Sequence, residues 1–351
     1  MTSLLEQRYR TVLRMLPSSY RARREEEMVD TYLEDFDEEE LDELRPSLGE
    51  VRSIAALAVR ARMGSAGAPA RYALAGSAVR LFALLSILLH GARELTDRAM
   101  SVALYNGATG EDRELMLSMF DGHEPLAAVN ATCQLVLPLC WVAAYAALLR
   151  DRRRAALVLS VLAALPGALW LLLDPVFGAG GIPSGFSVAT TAFAWLTVLA
   201  VGCGFHSDAP AARMPLGAKA GLALMAVCVL MGLSIVVWAT ESRPDYTWSS
   251  GAAFTVAVLA WYAARARGVH GTQDPSQPLA LAAVGLAVLA ERAGMLALLV
   301  EGHLTGVVLN AAWAQGAVTV VLVAGLAASG TRAARRGTEQ DPARGTDGAM
   351  G

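Results

Sequence analysis

The sequence has little charge for its length and almost no lysine. Of its 351 residues, 17% are charged and 55% are hydrophobic, and the mean hydropathy is +0.43. A chain this apolar cannot cover a soluble globule with polar surface, so we expect the lipid bilayer to be its main solvent and partner. Lys219 is the single lysine among 29 basic residues, and heavy use of Ala, Gly and Arg indicates a high-GC bacterial source.

Cysteine and histidine are too few and too scattered for the common disulfide and metal patterns. The four cysteines lie in apolar runs without CxxC spacing, and we expect them to be small buried side chains. His90, His123 and His303 fall near predicted span ends, and no HxxxH or HExxH spacing joins them. No metal ligand is therefore predicted.

The short motifs of the common enzyme classes are missing as well. We find no G-x-S-x-G, no GxxxxGKS/T, no HExxH and no Asp-rich pair of the kind that holds magnesium for prenyl transfer. No catalytic residue and no cofactor are predicted, and an enzyme is disfavoured.

Residues 1–64 hold 10 basic and 14 acidic residues. Because a phosphate-binding surface needs a basic face, this balance argues against nucleic acid as a direct partner, and no direct nucleic acid binding is predicted.

What is present is helical periodicity, beginning at the N-terminus. Apolar residues recur at helical spacing over residues 3–16, and Pro17 ends the run. Ser18 or Ser19 is expected to cap a second helix that runs to about Phe36. This charged, amphipathic start is unlike a secretory signal, so we expect membrane insertion to begin at the first internal span.

A third N-terminal helix is marked by Ser47 and Glu50, which form an S-x-x-E capping box ahead of an apolar face. The tract between the second and third helices, residues 37–43, is almost entirely acidic, which is typical of solvated surface. We predict that residues 1–64 form a small cytosolic three-helix domain with one shared core.

A set of short, arginine-rich strings runs through the first two of these helices. They are Arg8-Tyr9-Arg10, Leu13-Arg14, Leu16-Pro17, Tyr20-Arg21, Arg24 and Glu27-Met28. With them the N-terminal part resembles the helical prefix domain found in front of integral membrane proteins of actinobacteria and related Gram-positives. That group includes permease-prefix domains and the α-helical signalling domains often associated with PadR-type regulators.

The resemblance covers about the first 64 residues and brings no catalytic residues with it. It implies a cytosolic signalling or regulatory adaptor, whose partner would be a cytosolic regulator that binds residues 1–64. The acidic tract at residues 35–43 does not match the pattern of this group.

Residues 65–72 are expected to be a linker, and residues 73–330 a transmembrane domain. Each predicted span is near the 20 residues that cross the hydrocarbon core of a bilayer. The eight spans are 73–92, 126–149, 155–173, 184–203, 216–239, 248–264, 278–300 and 304–328. The fold class predicted for the chain is therefore all-α, a polytopic helical membrane bundle behind a small three-helix domain.

Arginine is distributed unevenly between the predicted loops. Clusters at residues 150–154 and 265–267 lie on the side of the N-terminus, whereas the opposite loops are mainly acidic. The positive-inside rule then places both termini in the cytosol of a bacterial cytoplasmic membrane. The polar, Gly-rich tail at residues 331–351 is expected to be disordered and cytosolic.

A faint internal repeat runs through the predicted spans. Residues 161–169 and 288–296 share five identities, which would divide the bundle into two four-span units in parallel orientation. Sequence rich in Ala and Leu also produces such matches by chance, so both interpretations remain open.

The strongest candidate site lies in the seventh predicted span, where Glu291 and Arg292 are adjacent near its centre. Ionisable side chains at this depth must face the bundle interior or pair, and they mark either a functional site or a structural polar network. Gly294 lies on the same helix face as Glu291 and would let another span approach closely. The other polar candidates for this site or network are Arg80, Asn310 and Gln315.

Four further charges follow the first predicted span. Arg93 with Asp97, and Glu94 with Arg98, place opposite charges four residues apart, which favours an exposed helix that extends from the span. A ligand site here is the less favoured interpretation.

Three functions fit this pattern. The first is a non-enzymatic signalling or regulatory membrane protein, in which the N-terminal domain is the adaptor and the bundle is a sensor or anchor. The second is a carrier or permease for a small or lipophilic molecule that uses the intramembrane polar residues. A membrane-embedded enzyme acting on a lipid or isoprenoid is the weakest of the three.

Overall fold

The computed structural model describes residues 3–34, 36, 44–64, 68–107, 110, 114, 132–177, 183–206, 209–210, 218–238, 245, 247–269, 274–302 and 306–339. Within these ranges it contains eleven α-helices, one 3-10 turn and no strand. The predicted all-α class is confirmed for this part of the chain.

The eleven α-helices are numbered here in chain order. They are α1 (Leu4–Leu13), α2 (Ser18–Leu33), α3 (Leu48–Arg62), α4 (Ala70–Gly107), α5 (Cys140–Leu149), α6 (Arg153–Phe177), α7 (Gly185–Gly204), α8 (Ala218–Trp238), α9 (Trp248–Ala266), α10 (Ser276–Glu301) and α11 (Val307–Glu339). The 3-10 turn, Leu137–Leu139, leads into α5, and the residues before it from 132 are also helical.

The first three helices share one apolar core. Its buried members are Tyr9, Leu13, Leu16, Val29, Ile54 and Ala58. At the start of α3 the predicted capping box is confirmed: Ser47 Oγ accepts a hydrogen bond from the Glu50 N–H at 3.2 Å, and the Glu50 carboxylate accepts one from the Ser47 N–H. Two amides that a helix start leaves without partners are thereby satisfied.

The serine cap predicted for α2 is wrong. Pro17 occupies the N-cap position, and no side-chain cap bond forms at this end. Ser18 is already the first helical residue, so its hydroxyl lies beyond the position from which a side chain can accept from the first-turn amides. The helix also ends at Leu33, before the predicted end at Phe36.

Eight helical segments of the described chain follow residue 69, and each overlaps one predicted span. Six are long and apolar enough to cross a membrane: Ala70–Val102, Thr132–Leu149, Arg153–Leu172, Gly185–Gly204, Ser276–Glu301 and Val307–Arg336. The helix α8 contributes a shorter apolar stretch, Gly221–Leu230. The chain is therefore consistent with an all-helical, multi-pass membrane protein, and the count of eight spans stays a prediction.

The helices of this bundle carry large apolar side chains on their outward faces. Examples from five different helices are Leu172, Leu199, Leu230, Leu286 and Val321. A soluble protein seldom exposes so many large apolar residues over one surface, whereas contact with lipid tails requires them.

Two helices are longer than the spans predicted for them. The helix α4 continues to Gly107, well past the predicted span end at residue 92, and α11 continues to Glu339, past the predicted end of the transmembrane domain at residue 330. Since a 38-residue helix is about 57 Å long and the hydrocarbon core about 30 Å thick, α4 extends beyond a single bilayer crossing.

Contacts divide the described residues into two units. The first contains the chain up to Val79 together with Cys203–Pro210 and the end of α11 from Ala334, and the second contains Arg80–Gly202 and Ala211–Ala333. The first three helices belong to the first unit. All the charged residues described in the next section belong to the second.

The close helix approach expected at Gly294 is present. A β-carbon built at this position would lie 2.5 Å from the backbone nitrogen of Phe186, at the start of α7. No side chain fits at that distance, so glycine allows the backbones of α10 and α7 to meet directly. This contact places α7 beside the charged stretch of α10.

We predict that Gly294→Ala destabilises the bundle, because the methyl group must displace the α7 backbone, an overpacking effect of about 1–3 kcal/mol. Gly316→Ala on α11 is the matched control, because its methyl group meets its nearest neighbour at an ordinary 3.7 Å. Both substitutions gain the same helix propensity. Thermal unfolding of the full chain in detergent should show a lower midpoint for Gly294→Ala alone, and equal midpoints would contradict the close packing.

Candidate functional site

Glu291 and Arg292 are both buried in the interior of the bundle. The exposed fraction is 1% for Glu291 and 2% for Arg292, the lowest values among its charged residues that the structure describes. Adjacent residues on a helix point about 100° apart, so the two side chains face different neighbours of α10. Each of them finds an oppositely charged partner on a separate element.

The partner of Glu291 is Arg93 of α4. Nη1 of Arg93 donates to Oε1 of Glu291 at 2.9 Å, which joins residues 198 positions apart in the sequence. The Arg93 guanidinium also lies 3.9 Å from the Asp97 carboxylate, and its carbon is 5.4 Å from the ring centre of Phe186 on α7. Three helices thus meet around one guanidinium.

The partner of Arg292 is Asp245, just ahead of α9. Nη1 of Arg292 donates to Oδ2 of Asp245. The other carboxylate oxygen, Oδ1, accepts from the backbone N–H of Thr247 at 3.0 Å and from its hydroxyl at 2.8 Å. Thr247 therefore fixes the orientation of the carboxylate, and Asp245 neutralises the charge of Arg292.

A second pair on α4 extends the polar contacts. Arg98 lies 3.3 Å from Glu94 and donates to the backbone carbonyl of Gln134 at 3.0 Å. The amide of Gln134 in turn donates to the carbonyl of Pro166 on α6 at 3.2 Å. This series fastens α4, the helical segment before α5, and α6 to one another.

The two i, i+4 pairs predicted on α4 are therefore present, but the helix is not exposed there as expected. Exposure of the four side chains ranges from 12% for Arg93 to 34% for Asp97. The reason is that other helices pack over this part of α4, and their groups take up its charges.

Gln315 lies close to the Arg292 pair. Its amide donates to the carbonyl of Trp248 at 3.0 Å, and Gly251, one turn further along α9, leaves space for the amide. The next residue, Gly316, lies beside the alkyl stem of Arg292. Two polar atoms have no hydrogen-bond partner among the described residues, Nη2 of Arg292 and Oε1 of Gln315.

The structure brings together only some of the predicted site residues. Glu291, Arg292 and Gln315 lie in one region, whereas Asn310 is exposed on the surface of α11. Arg80 lies thirteen residues before Arg93 on the same helix, which is about 20 Å along its axis.

The sequence pattern places Arg93 on an exposed helix beyond the first span, and neither Arg93 nor Asp245 was predicted as a partner of the buried charges. A signal for them existed: two charges inside a predicted span require counter-charges, and both residues lie directly beside predicted span ends. The sequence alone could not select them, because several other charges also flank span ends.

His90, which lies near the end of the first predicted span, is buried in α4. Its Nε2 lies 3.3 Å from the hydroxyl of Thr197 on α7, and its ring stacks on Trp141 of α5. The residue therefore packs between three helices. His123 and His303 lie outside the described residues, and no group of three or more metal-ligating side chains is found among the residues described.

Burial decides the energetics of the two ion pairs. Moving a charged side chain from water into the protein interior costs several kcal/mol. Attraction to an oppositely charged partner offsets this cost only when the geometry of the pair is good. Removing one partner then leaves an uncompensated charge, which is typically destabilising by about 3–5 kcal/mol. The pairs thus hold α10 in one position relative to α4 and α9.

We predict that Asp245→Asn lowers the free energy of unfolding of the full chain in detergent by about 3 kcal/mol. The amide oxygen can still accept from Thr247, but the NH2 group that replaces Oδ2 cannot accept from Arg292, so Arg292 loses both its counter-charge and its acceptor. Glu301→Gln is the control, because Glu301 is exposed at the end of α10. An Asp245→Asn variant as stable as Glu301→Gln would show that Arg292 does not depend on this carboxylate.

The function of these paired charges has to be inferred from their geometry. Comparisons with protein-family models, with curated proteins and with solved structures found no match to this chain.

Proposed function

We propose that this chain is a non-enzymatic signalling or regulatory protein of the bacterial cytoplasmic membrane, with both termini in the cytosol. Residues 1–64 act as an adaptor that binds a cytosolic regulator and relays a signal to or from it. The bundle behind them, with eight spans, serves as sensor or anchor.

The observation that carries this proposal is the separate core of the first three helices. Side chains from all three helices meet there, and Tyr32 of α2 stacks on Tyr9 of α1 with ring centres 3.9 Å apart. The Tyr32 hydroxyl donates to the Glu50 carboxylate of α3 at 3.3 Å. Burial, with Glu50 nearby, raises the pKa of Tyr32 to about 12, so this donor keeps its proton at cellular pH.

The outward faces of these helices are charged and suit a protein partner. Arg10 of α1 pairs with Glu6 at 2.9 Å and with Glu26 of α2 at 2.7 Å, and the Arg10 guanidinium lowers the pKa of the exposed Glu26 carboxylate. A small unit with its own core and a polar surface fits an adaptor that is recognised from the cytosol.

The bundle supports the role of sensor or anchor. The four charges that lie deepest are already matched in two pairs, Arg93 with Glu291 and Asp245 with Arg292. A charged side chain that is already paired within the protein binds a transported solute less strongly than an unpaired one does. The pairs instead define one arrangement of the helices, whose stability a signal can change.

A carrier is the second candidate, and one observation favours it. Nη2 of Arg292 and Oε1 of Gln315 are a buried donor and a buried acceptor without partners in the described part of the chain. A bound solute with one acceptor and one donor would satisfy both atoms. In a carrier, activity would depend on Gln315 and would not require residues 1–64.

We predict that a chain lacking residues 1–64 fails to restore the transcript profile of cells from which the gene has been deleted. The reason is that the adaptor is the only route to the regulator. The full chain should restore the profile, and so should the full chain with Gln315→Leu. Membrane fractions must contain equal amounts of each variant.

The opposite result would contradict the proposal. If the truncated chain restores the profile fully and Gln315→Leu abolishes it, the bundle acts without the adaptor and the carrier is favoured.

A further inference from the structure

The first unit contains a cavity of about 430 Å³ between the start of α2, the end of α3 and the residues that lead into α4. Its volume is in the range of small-molecule sites. The residues that line it are Pro17, Ser19, Tyr20, Arg23, Arg24, Leu57, Arg60, Ala61, Ala68 and Pro69.

The lining of this cavity carries positive charge only. Arg23 and Arg24 of α2 and Arg60 of α3 supply three guanidinium groups, and none of the lining residues is acidic. Arg23 and Arg24 are exposed, and Arg60 is half-buried. Guanidinium groups bind phosphate through two parallel hydrogen bonds, so an anionic phosphate group suits this cavity better than a neutral or cationic ligand.

The start of α2 adds to this preference. Its N-cap residue is Pro17, and no side chain takes up the first amides of the helix. Amides at a helix start, together with the positive end of the helix dipole, favour a negative group. The hydroxyls of Ser19 and Tyr20, which also line the cavity, are further donors.

The position of the cavity in the chain indicates that the phosphate belongs to a lipid headgroup. Ala68 and Pro69 line it, and α4, the first helix apolar enough to span a membrane, begins at Ala70. Two residues reach at most about 7 Å, so the cavity lies next to the start of this first helix that is apolar enough to span a membrane. Lipid phosphates occupy that level, and anionic lipids attract arginines beside a membrane helix.

We propose that this cavity binds the phosphate headgroup of an anionic phospholipid. The bound headgroup ties the end of α3 to the start of α2 and holds the first unit at the membrane surface. This site is independent of the regulatory role proposed above, because it concerns contact with lipid and not with a cytosolic regulator.

The experiment measures lipid binding to the purified full chain in detergent. Short-chain phosphatidylglycerol, short-chain phosphatidylcholine and inorganic phosphate are titrated separately, and bound ligand is counted by native mass spectrometry. The test variant is Arg24→Gln with Arg60→Gln. The control is Arg14→Gln with Arg52→Gln, two exposed arginines of the same unit that do not line the cavity.

We expect phosphatidylglycerol to bind more tightly than phosphatidylcholine, and the test variant to lose about 30-fold in affinity for it. The control should bind as the unchanged chain does. A third variant, Arg24→Lys with Arg60→Lys, keeps both charges and should retain most of the binding. That result would show that the loss in the glutamine variant does not come from unfolding.

Three results would overturn the proposal. The first is equal binding of phosphatidylglycerol by the unchanged chain and the glutamine variant. The second is equal binding of the two lipids. The third is full displacement of phosphatidylglycerol by millimolar inorganic phosphate, which would assign the cavity to a soluble phosphate compound and not to a lipid.

Discussion

The bundle depends on pairing charges that lipid and apolar side chains cannot solvate. Glu291 and Arg292 are neighbours in α10, yet they do not neutralise each other, because the helix turns them toward different elements. Arg93 of α4 pairs with Glu291, and Asp245, ahead of α9, pairs with Arg292. At Gly294 the backbone of α10 also packs directly against the backbone of α7. The helix α10 is therefore the element that the others are arranged around, and its position is fixed by charge and by backbone contact together.

The features that the sequence predicted correctly are local ones. Apolar runs long enough for a bilayer, the capping box of Ser47 and Glu50, and opposite charges four residues apart on α4 each follow from residues close together in the chain. The counter-charges of α10 could not be found in this way. Arg93 is 198 residues from Glu291, and the choice between it and other flanking charges depends on how far each helix is shifted along its neighbours. The same register leaves Asn310 on the surface and Arg80 far from the pairs.

The N-terminal unit and the bundle use arginine in two different ways. In the bundle, Arg93 and Arg292 are each paired with a carboxylate of another element, which holds the helices in place. In the first unit, Arg23, Arg24 and Arg60 surround a cavity without an acidic residue in its lining. An arginine paired with a carboxylate stabilises the fold, whereas a cavity lined by several arginines suits an anionic ligand.

The most direct test of this account is a double-mutant cycle on the pair between α4 and α10, made with Arg93→Gln and Glu291→Gln in the full chain and followed by unfolding in detergent. Each single substitution strands a buried charge, whereas the double substitution removes both. The account predicts that the double variant is more stable than the less stable single variant, and that the two losses are far from additive. Additive losses would contradict it, because they would mean that Arg93 and Glu291 do not stabilise each other.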